Sequence, residues 1–267
     1  MDLSTLSISE IKKLVVGSEK DNQELMLAMS ADKRSGVRDI ARRLRRANAV
    51  MLAEVNRLEK MFVYEDNLRA SGYYPVAGVD EAGRGPLAGP VAAAAVILPR
   101  EVWLPGLNDS KKLTPGKREA LAIQIKDVAL AFAVGLSSVE EIYQENIYHA
   151  SLIAMRRAVL QLTIKPAYVL VDGFRIEQLE LPQKPLVGGD GLSASIAAAS
   201  IVAKVYRDHL MENYHELYPE YGFNKHKGYA TPEHLRALAS YGPCPIHRAG
   251  YQPVKIYIRA QESVGTA

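Results

Sequence analysis

Four acidic residues are placed alike. Ala77-Gly78-Val79-Asp80-Glu81 is an apolar run ending on two carboxylates, and Val169-Leu170-Val171-Asp172-Gly173 ends on one. Val187-Gly188-Gly189-Asp190 sets a fourth just ahead of an Ala-rich stretch. A carboxylate at the end of a buried strand is costly unless something pairs with it. Any one of these aspartates alone reads as an ordinary turn or cap; three sites of one form in one chain point to a shared cation. Oxygen-only ligands with open positions suit Mg²⁺ or Mn²⁺, which keep waters and bind phosphate oxygens. Zinc does not fit, because Cys244 is the single cysteine and no two histidines have ligand spacing on one face. Adjacent strand residues point to opposite faces. Asp80 and Glu81 are therefore expected to share a site only where the strand breaks, and Ala82-Gly83-Arg84-Gly85-Pro86 is the expected break. Its glycines let backbone N–H groups approach a ligand, and its arginine can hold a phosphate.

The elements that must carry these residues are legible from periodicity. Short β-rich runs fall at 76–79, 91–98, 128–136 and 168–171. Thr114-Pro115 opens a helix to about residue 126, and Ser138 with Glu141 forms a capping box opening another to about 162. Ser193 opens an Ala- and Ile-rich helix, and Thr231-Pro232 opens one ending near Tyr241-Gly242. Early hairpin-style strands followed by strand–helix alternation predict an α/β domain with a mixed sheet packed by helices.

Residues 1–70 differ. They hold no proline and carry 13 Lys+Arg against 11 acids, so any basic character is local. Shorter helices are expected over 8–16 and 24–29. Apolar residues at Val37, Ile40, Ala41, Leu44, Ala47, Met51, Val55, Leu58 and Phe62 then trace one face of a long helix. Its Arg42, Arg43, Arg45 and Arg46 are either a solvated face or a nucleic-acid handle. Residues 71–75 read as a linker, and the tail from 251 to 267 carries little signal.

Of the 267 residues, 48% are hydrophobic and 24% charged, which excludes wholesale disorder. A net charge of +3 permits a polyanionic partner without demanding one. The longest apolar run, 87–98, is interrupted by Gly89 and Pro90 and falls short of the roughly 20 residues a membrane span needs. The N-terminus lacks a basic and an apolar signal region. With a lone cysteine, the expectation is a soluble cytoplasmic protein in a reducing compartment, without membrane association.

The segment Gly78-Val-Asp-Glu-Ala-Gly-Arg-Gly-Pro-Leu-Ala-Gly-Pro90 closely resembles the signature of bacterial ribonuclease HII, a type 2 ribonuclease H. The likeness continues through Asn108-Asp-Ser-Lys-Lys-Leu113, Val171-Asp-Gly173, Gly189-Asp190, the run from Ser195 to Lys204, His226-Lys-Gly-Tyr229 and Pro245-Ile-His-Arg248. It covers roughly 74–250 in order. Residues 1–70 lie outside it, although some bacterial members are similar in having an N-terminal extension. The resemblance implies a ribonuclease H-like five-stranded mixed sheet flanked by helices. It implies endonucleolytic cleavage of the RNA strand of RNA–DNA hybrids, and incision 5′ of ribonucleotides embedded in duplex DNA, leaving 5′-phosphate and 3′-hydroxyl ends. The family's four catalytic, metal-binding carboxylates fall on Asp80, Glu81, Asp172 and Asp190. Its ribonucleotide-sensing motif falls on Gly83, Arg84 and Gly85, and its junction-sensing tyrosine on Tyr229.

The residues give this chemistry a rationale. Two divalent ions about 4 Å apart can activate water and stabilise the leaving oxygen of a phosphodiester, with Asp80 as the expected bridge. The 2′-hydroxyl, which distinguishes RNA from DNA, is within the competence of a close-approaching backbone. Tyr229 can stack on the next sugar, or can simply be a half-buried aromatic. Lys111, Lys112, Lys204, Lys225 and Lys227 are candidates for phosphate contacts, each equally readable as solvated surface. The six histidines read as structural or surface. A monomer is expected, with any replication or repair partner left open. Two other classes stay open on the residues alone. A non-catalytic nucleic-acid binder would not need four acids, and a small-molecule phosphatase would not need the lysines or Tyr229.

Overall fold

The computed structural model describes residues 2–17 and 23–258. The chain divides into two compact units, 1–59 and 60–267. The smaller contains α1 (Ile8–Gly17), α2 (Gln23–Ala31) and most of α3 (Ser35–Met61). Leu3, Ile11, Leu25, Met29, Val37 and Ala41 form its core. The Arg34 guanidinium ties it together, donating to the carbonyls of Leu6 at 2.6 Å and Leu3 at 2.8 Å. Arg42, Arg43, Arg45 and Arg46 lie along α3, and none of the four is buried.

The larger unit opens with α4 (Val63–Ala70). It continues through β1 (Val76–Ala82), β2 (Val91–Ile97), α5 (Pro115–Val128), β3 (Ala131–Ser137), α6 (Val139–Leu160), β4 (Tyr168–Asp172) and β5 (Gln183–Leu186). After these come α7 (Ala194–Leu217), the single turn α8 (Phe223–His226) and α9 (Pro232–Tyr241). The five strands form one mixed sheet in the order β3-β2-β1-β4-β5. β1 pairs antiparallel with β2 and parallel with β4, and β4 pairs parallel with β5.

Small side chains let helices lie close on this sheet. β2 reads Val-Ala-Ala-Ala-Ala-Val-Ile and is buried throughout. Val79, Ala93 and Ala95 pack with Ala150, Ala154 and Ala158 of α6. On the other face a Cβ at Gly78 would lie 2.1 Å from the Ser195 carbonyl carbon, so the start of α7 rests on β1 at a glycine. The stretch of α7 from Ala194 to Ala203 is buried without a break, as expected of a helix apolar all round. The predicted caps form: Thr114, Ser138, Ser193 and Thr231 each accept a backbone N–H from the first turn of their helices.

Four local expectations are corrected. The strand expected from residue 128 starts at Ala131, because α5 runs through Val128. β5 went unpredicted; Pro185 lowers its strand signal, and the sheet tolerates it because β5 is an edge. The long helix ends at Met61, and a separate helix, α4, restarts after Phe62, within the larger compact unit. The expected break at 82–86 begins only after both acids, so Asp80 and Glu81 lie together in regular paired strand, with β1 paired through Ala82. No helix among the described residues is long and apolar enough to cross a membrane. The tail beyond residue 258 lies outside the described residues.

Candidate active site

Three neighbouring parallel strands end at the same edge of the sheet, and each delivers acid there. Asp80 and Glu81 sit near the end of β1, and Asp172 is the last residue of β4. Asp190 lies in the turn Gly189–Gly191 that follows β5. The edge beyond the carboxyl ends of parallel strands is where α/β sheets bind ligands. Asp80 shares the α7 side of the sheet with Gly78, whereas Glu81 shares the α6 side with Val79. The two adjacent acids thus approach from opposite faces, and both lie within the field of Asp172.

The electrostatics are those of an overcrowded acid set. Burial pushes the Asp80 carboxyl well above the usual carboxylate range, and the charges of Glu81 and Asp172 push the same way. Hydrogen bonds from Ser200 and from the Glu81 N–H, at 2.7 Å, only partly oppose this. Glu81 is raised by burial and by Asp172 against the Arg84 charge, whose Nη1 lies 3.4 Å from Oε1. Asp190 is raised by burial, then by Asp109 and Asp172. Lys111 Nζ lies 3.8 Å from Asp190 Oδ2. Partial burial works against its charge, but Asp190, Asp80, Asp109 and Asp172 more than offset it and raise its pKa.

Among the described residues no three His, Cys, Asp or Glu stand in a common ligating geometry. The acids are gathered into one field without closing on one point. Their chemistry fits a hard divalent cation: the donors are all oxygen, and the negative charge outweighs the nearby Lys111 and Arg84.

The loop after β1 is fixed from beneath by two buried arginines. Arg207 donates to the carbonyls of Ala88, Pro90 and Lys227, each at 3.0 Å. Arg248 donates to Gly83 at 2.5 Å, Arg84 at 2.8 Å and Gly89 at 2.8 Å. Burial lowers both pKa values, that of Arg207 to about 10. Gly83 has φ +96°, and a Cβ there would meet Arg207 Nε at 2.0 Å, so only glycine fits. The Tyr229 ring lies against Gly85, 3.6 Å from where a Cβ would stand. The loop and the tyrosine are therefore neighbours.

Three neutral histidines hold the Tyr229 backbone. His247 Nδ1 accepts from the Cys244 N–H at 2.9 Å, so its Nε2 carries the proton and donates to His234 Nε2 at 3.0 Å. His234 then donates from Nδ1 to the Tyr229 carbonyl at 2.9 Å. His226 donates from Nε2 to the Tyr221 carbonyl at 2.8 Å and accepts the Gly228 N–H at 3.2 Å.

Of the candidate lysines, only Lys111 faces the acid set. Lys112 lies 4.0 Å from Asp109. Lys204 pairs with Asp208, Lys225 with Glu233 at 2.9 Å and Lys227 with Glu212 at 2.6 Å. Sequence reasoning missed Asp109, Ser200, Arg207 and Arg248. Asp109, Ser200 and Arg248 lie in the motif runs 108–113, 195–204 and 245–248, which was the available signal; nothing local marks Arg207, or shows that either arginine is a brace.

The family model described as Ribonuclease HII matches residues 77–254, and that described as Ribonuclease HII N-terminal domain matches 7–69. A ribonuclease HII of Pelotomaculum thermopropionicum is 64% identical over 255 residues, spanning 95% of this chain and 96% of that protein. The crystal structure of ribonuclease H2 from Pyrococcus horikoshii is 29% identical with a TM-score of 0.59, covering 70% of this chain and 99% of that one. The Bst ribonuclease HIII structure in complex with Mn²⁺ is 18% identical with a TM-score of 0.58, covering 71% of this chain and 70% of that one. That last likeness concerns the fold.

Proposed function

The chain belongs to the ribonuclease HII family, and from that premise we propose that it cleaves RNA–DNA hybrids endonucleolytically and incises duplex DNA 5′ of embedded ribonucleotides. The observation that carries this reading is the delivery of Asp80, Glu81, Asp172 and Asp190 to one sheet edge, beside a glycine loop that touches Tyr229. The four carboxylates would hold Mg²⁺ or Mn²⁺, which when bound supplies an activated water and charge stabilisation at the leaving oxygen. In this reading Asp80 is the central ligand and the other three complete the set.

The chain's own residues then bind and discriminate. Arg207 and Arg248 turn the carbonyls of Gly83, Arg84, Ala88, Gly89 and Pro90 inward. The loop is thereby prearranged, with Gly83 to Gly85 free to meet a 2′-hydroxyl at close range. Tyr229 stacks on the following sugar, where an added 2′-hydroxyl disturbs the stack and a deoxynucleotide is preferred. Lys111 counters charge beside Asp190, and Arg84 can leave Glu81 for a phosphate. Lys112, Lys204, Lys225 and Lys227 are left as candidates for positioning the duplex, each exchanging a protein acid for a phosphate.

The test is incubation with a duplex carrying one ribonucleotide, with Mg²⁺ and with chelator. Metal-dependent incision 5′ of the ribonucleotide is expected. Binding without cleavage would replace the reading with a non-catalytic binder. Hydrolysis confined to small phosphoesters would replace it with a phosphatase.

A further inference from the structure

α4 carries a fully buried acid that the acid set does not include. Glu65 has no exposed surface. Its Oε1 accepts the Ser193 hydroxyl at 2.6 Å and the Ser195 N–H at 2.9 Å. Its Oε2 is buried with no hydrogen-bond partner. α4 is pinned there because Tyr64 and Leu68 pack with Val76, Leu170, Leu186 and Ile196.

Helix capping does not require this carboxylate. Ser193 already caps α7, accepting the Ile196 N–H at 3.2 Å, and Thr114 and Thr231 cap their helices with a hydroxyl alone. Burying a half-satisfied carboxylate costs stability. What the carboxylate adds is a connection. Ser193 donates its N–H to the Gly189 carbonyl at 2.8 Å, and Leu192 donates to the same oxygen at 2.9 Å. Gly189 in turn donates its N–H to Asp172 Oδ1 at 2.6 Å. Glu65 therefore grips the first turn of α7, that turn grips Gly189, and Gly189 carries Asp190 and orients Asp172.

We propose that Glu65 is a positioning residue for the metal site, fixing the turn that presents Asp190 and the carboxylate of Asp172. This rests on reading those acids as metal ligands. It also gives the end of the segment matched to the N-terminal family model, residues 7–69, a part in the chemistry.

The test measures Mn²⁺ binding directly, from the free-ion electron paramagnetic resonance signal, beside the Mg²⁺ dependence of cleavage. Substituting groups that orient metal ligands typically weakens affinity about 10- to 100-fold. Glu65→Leu should weaken Mn²⁺ binding by about tenfold and raise the half-saturating Mg²⁺ concentration by a like factor. Glu65→Gln keeps an acceptor for both donors and should restore most of the affinity. Asp190→Asn serves as the control. Weakened binding in Asp190→Asn with wild-type affinity in a folded Glu65→Leu overturns the positioning role alone. Unchanged binding in Asp190→Asn overturns the ligand assignment instead. If Glu65→Leu fails to fold, Glu65→Asp, which keeps the charge and loses the reach, takes its place with the same expectation.

Discussion

Asp80 is held at the cost of the fold's own stability. Its carboxyl is buried and faces the charges of Glu81 and Asp172. Asp80→Asn removes a charge from that set, so the thermal midpoint in chelator should rise or hold. Cleavage should fall about a thousandfold, the equivalent of several kcal/mol of transition-state stabilisation. Single-turnover rates at saturating Mg²⁺ and calorimetry check the two halves; a full rate in the variant refutes the assignment. Tyr229 makes a different demand, since its ring lies against Gly85 while its backbone is held separately. Tyr229→Ala should slow incision at a single ribonucleotide by about tenfold or more, in line with the roughly 1–3 kcal/mol typical of one stacking interaction. Cleavage within a long hybrid should slow less. Equal losses on both substrates, compared at one enzyme concentration, would make Tyr229 general support and not a junction sensor.

At the scale of elements, the helix and strand ends do most to build the site, and α8 and α9 show their own stability through pH. Burial lowers His226 and His234, and burial with the His234 charge lowers His247 to about 4. An unfolded histidine titrates near 6.5, so between about 6.5 and 4 the unfolded chain binds protons that the folded chain refuses. Stability from this cluster is whole above that window and falls as pH drops through it. The raised acids Asp80, Glu81 and Asp190 act in the opposite sense, so the cluster is read by difference: from pH 7.5 to 4.5 the thermal midpoint of the wild type should fall relative to that of His247→Gln, which starts lower at neutral pH. A parallel decline in the variant would place the effect elsewhere.

The same elements explain what is legible in the sequence. Asp80, Glu81, Asp172 and Asp190 stand out because each follows an apolar run or a glycine turn, and Thr114, Ser138, Ser193 and Thr231 because capping is local chemistry. β5 does not, since Gln183-Lys-Pro-Leu186 has neither alternation nor β-branching and is a strand only because β4 lies beside it. The roles of Glu65, Arg207 and Arg248 are invisible for a related reason. The partners of Glu65 lie 128 and 130 residues away, those of Arg207 in the loop after β1 117 and 119, and those of Arg248 in the same loop 159 to 165, and only folding brings them together.

At the scale of the whole molecule, the chain divides into compact units at residue 59, so a truncation there spares α4 and one at 70 does not. Removing residues 1–59 should leave the saturated single-turnover rate near wild type. If Arg42, Arg43, Arg45 and Arg46 meet phosphates, that removal should flatten the salt dependence of duplex binding by about 0.9 log units for each phosphate no longer neutralised. Titrations at several salt concentrations measure this, and an unchanged slope assigns the arginines to solvent. Removing 1–70 also takes α4, uncovers Leu186 and Ile196, and should lower both stability and rate.

The alanines of β2 have a consequence for how this protein can change. Ala94 pairs with Asp80, and its neighbours Ala93 and Ala95 face α6, so its own methyl faces α7. Ala94→Val adds volume where there is none and should cost about 1–3 kcal/mol; chemical denaturation measures it. The added bulk moves α7 relative to the strand that bears the acid, so activity should suffer before folding does. Under random mutagenesis with selection for cleavage, residues 92–95 should therefore be among the least permissive in the chain. Survivors there should tend toward glycine or serine, because this part of the sheet has room to shrink and none to grow.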